Sequence, residues 1–284
     1  MAGKLTANSY GKSAVRLTKV VRNGSRHELF EIDAAINLEG DFTACYEKGD
    51  NRNVVATDTI KNTVYVVGKE KSFATVEQFA IILAEHFIAT YPQVTKANVE
   101  LQQSSWRRIA IDGKPHDYAF TSDGPQHRCV RVTWSRGANP VIVGGVRGLL
   151  VLKTTASEWR DFHIDRYRTL KDASDRILAT QIDADWAFNA TAKEFDSHYE
   201  SISGAILRTF ATQHSLGVQQ TLQQMGEAAL AACAAIDSIS FELPNQHRIP
   251  FNLEPFGLKF EHDIFVATDE PYGLIKGTIT REGK

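Results

Sequence analysis

The sequence predicts an α+β fold in two halves of similar length, each combining antiparallel strands with amphipathic helices. Three observations point there. Residues 15–38 alternate at period two about an Asn23-Gly24 turn signal. Residues 76–87 carry apolar side chains at helical spacing. Beyond residue 138 the order of strands and helices returns although the letters do not repeat. Helices grouped apart from hairpins cover one face of a sheet and leave edge strands that need a partner, so oligomerisation is expected.

Taken in order, residues 15–21 form the first strand, and Ile32, Ala34, Ile36 and Leu38 face one way in the second, together a long hairpin. Thr75-Val76-Glu77-Gln78 has the form of a capping box. It opens a helix of about 16 residues through Val76, Phe79, Leu83 and Phe87, stopped by Tyr91-Pro92. Alternation resumes over 98–102 and at Val130, Val132 and Trp134, with Asp112-Gly113-Lys114-Pro115 as the turn between them. In the second half, 141–143 and 149–152 read as strand interrupted by Gly144-Gly145, and 184–188 as another. Helices follow over about 195–214 and 218–235, the latter with Leu222, Met225 and Leu230 along one side. Ile239, Phe241 and Leu243 alternate, and further strands are expected at 251–253, 264–266 and 274–280. The two domains are placed at 1–137 and 138–284.

Composition narrows the function. A chain of 284 residues that is 43% hydrophobic and 23% charged builds a sizeable core, which excludes disorder and collagen. Its 32 basic and 34 acidic residues give a net charge of -2, no footprint for nucleic acid or an anionic membrane. Cys45, Cys129 and Cys233 are widely spaced and form no Cys-x-x-Cys pair, so neither a disulfide framework nor a zinc site is indicated. Without an apolar leader, a span of ~18 apolar residues or a peroxisomal ending after Arg281, the expectation is a soluble cytoplasmic protein.

Single motifs carry little. Gly144-Gly145-Val146-Arg147-Gly148 lacks the Lys-Ser/Thr ending of a phosphate loop and runs into the apolar 149–152, so a bulge or sheet kink is the better reading. The nine histidines never adopt metal-site spacing. Alone, Val54-Val55-Ala56-Thr57-Asp58 reads as the start of a short helix capped by Thr57 or Asp58. Alone, Lys12 is an exposed lysine, Arg176 a helix-surface ion pair, Asn245 a turn residue after Pro244 and His247 a strand-end histidine.

Several segments taken together say more. Tyr10-Gly11-Lys12, the Val-Ala-Thr-Asp stretch at 55–58, Ile111-Asp112-Gly113-Lys114-Pro115-His116, Leu152-Lys153-Thr154-Thr155, Thr169-Leu170-Lys171, Asp175-Arg176-Ile177-Leu178 and Leu243-Pro244-Asn245-Gln246-His247 follow one another in an order that resembles the urate oxidase (uricase) family, from about Tyr10 to Arg281. The resemblance implies two tandem tunnelling-fold (T-fold) units, antiparallel sheets with helices on one face, assembling into a homotetrameric barrel with active sites at subunit interfaces. It implies oxidation of urate by O2 to 5-hydroxyisourate and H2O2, with no metal or organic cofactor.

It also implies roles. Urate is a flat anion with carbonyl oxygens and ring N–H groups. Arg176 would clamp it with a forked cation, Gln219 would meet the opposite edge with donor and acceptor, and Val218 and Asp58 would complete the plane. Thr57 and Asp58 would reach in from a neighbouring chain. Lys12, Thr57 and His247 would form a proton relay, and Asn245 would hold dioxygen or water above the ring. One position departs: in Ser157-Glu158-Trp159-Arg160-Asp161-Phe162, Trp159 stands where the family carries a stacking Phe, offering a larger face and a narrower pocket. Two alternatives stay open. One is a T-fold enzyme acting on a pterin or purine, although its usual ring-anchoring Glu has no counterpart at Gln219. The other is a non-catalytic urate binder.

Overall fold

A computed structural model describes residues 3–283. The chain forms two compact units, Met1–Gly145 and Val146–Lys284. Their boundary falls inside a strand, whereas the sequence reading placed it at 137/138, in the turn preceding that strand.

In unit 1, β1 (Tyr10–Asn23), β2 (Arg26–Gly40), β3 (Val94–Ile111) and β4 (Lys114–Ser135) are neighbours in that order, each pair antiparallel. Three helices lie between β2 and β3: α1 (Thr43–Lys48), α2 (Thr57–Glu70) and α3 (Val76–Thr90). The alternating Ile32, Ala34, Ile36 and Leu38 are all but fully buried, and pack in one core with Val99 and Leu101 of β3 and with Phe79, Leu83 and Phe87 of α3. The start of α3 is fixed as the capping box requires on one side: Thr75 Oγ1 accepts from Gln78 N at 3.2 Å. The Gln78 side chain reaches back to Ala74 N at 2.8 Å rather than to Thr75.

In unit 2, β5 (Val141–Lys153), which carries the boundary, β6 (Leu178–Phe188) and β7 (Ile236–Pro250) are neighbours, and β7 also pairs antiparallel with β8 (Phe265–Thr268) and β9 (Leu274–Thr280). Helices α4 (Phe195–Thr212) and α5 (Val218–Ala232) bury Ile202, Ile206, Met225 and Ala229 against Trp186, Ile239 and Phe241 of the sheet. Two expectations change, and one helix is new. β5 runs unbroken through Gly144-Gly145, and the irregular backbone comes later, at Gly148 (φ 72), whose N–H is taken by Asp183. Residues 251–253 are not strand, because β7 ends at Pro250 and a single 3-10 turn follows at Glu254–Phe256. α1 went unread because it is a short helix with no buried face to set a period.

The units share a device that their letters do not display. Arg136 donates from Nη2 to the carbonyls of Ile88, Tyr91 and Val94, and its own N–H goes to Thr95 O. Arg281 does the same with Leu230, Cys233 and Ile236, and its N–H goes to Asp237 O. Each guanidinium thereby satisfies carbonyls left over at a helix C-terminus and locks them to the next strand. Replacing Arg281 with Ala should lower stability by about 3 kcal/mol, since three part-buried carbonyls lose a charged donor. Urea denaturation with an unchanged m-value checks this.

Candidate active site

The expected residues divide between the units. Lys12, Thr57 and Asp58 lie in unit 1; Trp159, Arg176, Val218, Gln219, Asn245 and His247 lie in unit 2. The expected relay is therefore split, with Lys12 and Thr57 in one unit and His247 in the other.

Lys12 sits on β1 immediately before a break in the β1–β2 register, two residues ahead of Ala14, which is in a left-handed conformation (φ 56). Gly11 is required by close approach: a Cβ there would fall 1.7 Å from Ile36 O on β2. Tyr10 Oη accepts from Val55 N at 2.8 Å, and its ring meets Phe42 edge-on at 4.8 Å. This ties the β1 segment carrying Lys12 to the loop that opens α2 with Thr57. Neither Thr57 nor Asp58 caps that helix; the N-cap is Ala56, with no side-chain bond. Asp58 accepts instead from Lys61 at 2.5 Å and Asn62 at 2.9 Å. Its carboxyl is held below the usual range first by Lys61, with Lys12 adding a smaller attraction. Thr57 Oγ is exposed and is left free of the capping duty that the isolated motif suggests.

Unit 2 brings its residues into contact. Trp159 exchanges two backbone hydrogen bonds with Ala173, both 2.9 Å, and its ring lies nearly parallel to Phe162 at 5.5 Å. Arg176 donates its N–H to Ser157 O at 2.7 Å and holds its guanidinium carbon 5.8 Å from the Trp159 ring centre. It is no helix-surface ion pair. Arg176 Nε is buried with no hydrogen-bond partner among the described residues, and desolvation lowers the pKa of the group. An arginine stays charged even so, leaving a partly desolvated cation with no counter-ion among the described residues.

The N-terminus of α5 lies beside the same indole, because Gly217, the N-cap, comes up against Trp159. That helix start has no capping side chain and no acid in its first turn, so it favours an anion near Val218 and Gln219. Val218 is buried and Gln219 exposed. On β7, Asn245 and His247 are two residues apart and share a face. Asn245 pairs with Thr180 on β6, the strand that begins just after Arg176. Its Oδ1 is buried and unpartnered among the described residues. His247 is half-buried and pairs with Thr268.

Sequence reading missed the parts that aim these groups. Asp175 accepts from Thr155 Oγ1 at 2.7 Å and from Ser157 N at 3.4 Å, stapling the 155–157 turn to Arg176. Its carboxyl is held below its ordinary value of 3.8, chiefly by the Thr155 hydroxyl and secondarily by backbone N–H groups. Glu158, buried, accepts from His214 Nε2 at 2.8 Å and pairs with Arg160, while Glu158 N donates to Ser215 O at 2.8 Å. Those bonds join the Trp159 segment to the link before α5. Thr155, Asp175 and Glu158 lie inside the quoted segments, but no spacing rule marks a staple. Among the described residues no group of three or more His, Cys, Asp or Glu is placed to hold a metal ion.

The Uricase family model matches residues 8–133 and 142–276. A uricase of Arthrobacter globiformis is 44% identical over 279 residues, covering 98% of this chain and 90% of its own. One of Dictyostelium discoideum is 36% identical over 280 residues, covering 98% and 97%. The crystal structure of the Arthrobacter globiformis uricase superposes with a TM-score of 0.94 at 43% identity, covering 100% of this chain and 97% of that one. Urate oxidase from Bacillus sp. TB-90 shares the fold at a TM-score of 0.86 and 20% identity.

The Asp175 staple makes a pH prediction. A carboxyl whose folded pKa is depressed contributes fully above its ordinary value of 3.8 and loses that contribution as pH falls through the folded value. Carbon-13 NMR of Asp175 should show titration below the ordinary value, and Thr155→Val should move it upward.

Proposed function

The chain belongs to the uricase family and is a urate oxidase; from that premise we propose that it works without a cofactor, through a Lys12–Thr57–His247 proton relay. The observation that carries the substrate side is Arg176. A half-buried guanidinium whose buried Nε has no partner among the described residues, held near an indole that itself lies against an uncapped helix start, suits a planar anion. Bound urate satisfies the fork, meets Gln219 and the Val218 backbone on its other edge, and stacks on Trp159. Asn245 Oδ1, without a partner among the described residues, can accept from a water above the ring, and the N–H2 group of the same amide would serve dioxygen there.

Urate must become electron-rich before dioxygen will take electrons from it. Lys12 and Thr57, held in one unit through Tyr10 and Val55, draw a proton from the bound anion, and His247 continues the transfer from β7. Urate then gives up two electrons. Dioxygen accepts them with two protons and leaves as hydrogen peroxide, and water adds its hydroxyl at the ring to give 5-hydroxyisourate. We assign the unit 1 half-site of one chain to the unit 2 half-site of a second within a homotetramer, so that Thr57 and Asp58 enter from the neighbour. Coming from the backbone near Asp58, the neighbour completes the substrate plane.

The test is turnover of urate in air-saturated, chelator-treated buffer, followed by ultraviolet loss and peroxide release. Lys12→Met should lower kcat by about 10²-fold or more with KM little changed, because a proton-transfer group is lost and not a clamp. Arg176→Lys should weaken urate binding by about tenfold, near 1.4 kcal/mol, because an ammonium cannot reproduce the fork. Binding of urate with no turnover in the parent would favour a non-catalytic binder.

A further inference from the structure

Gly217 has an ordinary extended backbone, φ 168 and ψ 158, which any residue adopts. Conformation therefore does not demand glycine there. Space does. A Cβ at 217 would lie 2.9 Å from Cζ3 and 3.2 Å from Cε3 of Trp159, and 3.4 Å from Oε1 of Gln219. The nearest atom, Cζ3, belongs to the benzo ring that phenylalanine lacks. The indole has little freedom to withdraw. Its backbone is held by the two bonds to Ala173, Phe162 lies nearly parallel to it at 5.5 Å, and the preceding residue is tied to Ser215.

We propose that Gly217 is a positioning residue for urate, its bare Cα making the room in which the larger indole of Trp159 can lie beside the start of α5. This rests on the reading of Trp159 as the stacking surface. Gly217 and Trp159 then act as a pair: the indole needs glycine at 217, and a smaller ring at 159 does not. A methyl group at 217 pushes the indole away from Val218 and Gln219, so the stacking surface and the edge contacts no longer fit one substrate plane.

The experiment is a double-mutant cycle of Gly217→Ala and Trp159→Phe, read as urate KM and kcat, near-ultraviolet circular dichroism and thermal midpoint. With Trp159 present, Gly217→Ala should raise KM by about tenfold, with kcat less affected, because displacement of a positioning surface is costly. Relative to Trp159→Phe, the same change should shift KM less than about twofold. Folding of Gly217→Ala only in the Phe background also supports the pairing. Equal effects in both backgrounds, no effect in either, or failure to fold in both would overturn it. Trp159→Ala serves as the separate control. If it leaves urate KM unchanged, the stacking role is wrong, while the pairing is still decided by dichroism and thermal midpoint.

Discussion

A partly desolvated cation without a counter-ion is an unfavourable thing to build, and among the described residues Arg176 has none. Burial lowers its pKa, and nothing among the described residues takes its Nε proton. On the proposed reading an anion offsets that cost, and an aromatic ring, a helix start with no acid of its own and a side-chain amide stand ready for it. Near-zero net charge fits the same logic, since one forked cation recognises a small anion without a basic surface. The rest of unit 2 keeps that cation aimed. Asp175 draws in the 155–157 turn, Ser157 holds the Arg176 backbone, and Glu158 joins the segment to His214 and Ser215 just before α5.

Unit 1 solves a different problem with similar economy. Lys12 lies where β1 breaks register, and the close approach at Gly11 and the Tyr10–Val55 bond decide where that break occurs relative to α2. Thr57 begins α2 without capping it, and Asp58 is engaged by Lys61 and Asn62. A hydroxyl committed to a helix cap would be poorly placed to pass a proton. The paired arginines, Arg136 and Arg281, fix each helix to its following strand in the same way in both units, a structural repeat beneath unrelated letters.

Period-two and helical patterns were legible where buried apolar positions recur among less buried ones, as in β2, α3 and β7. They failed where that contrast is missing. α1 buries nothing, and β5 hides its continuity behind Gly144-Gly145. The proposed site residues came only from the order of several segments, because Lys12, Arg176, Asn245 and His247 each have an ordinary alternative when met alone. Their supports were not legible at all. Asp175, Glu158 and Gly217 act through contacts that exist only once the 155–162 segment, the start of β6 and the start of α5 have come together.

The central proposal is that Lys12 and Thr57 of each site come from one chain, and the Arg176 clamp with Asn245 and His247 from another. Mixed oligomers of Lys12→Met and Arg176→Ala, each nearly inactive by itself, test it most directly. Co-assembly pairs an intact unit 1 half from the Arg176→Ala chain with an intact unit 2 half from the Lys12→Met chain, so urate turnover should reappear. Turnover no greater than the mean of the two parents, in oligomers verified to contain both chains, would contradict it.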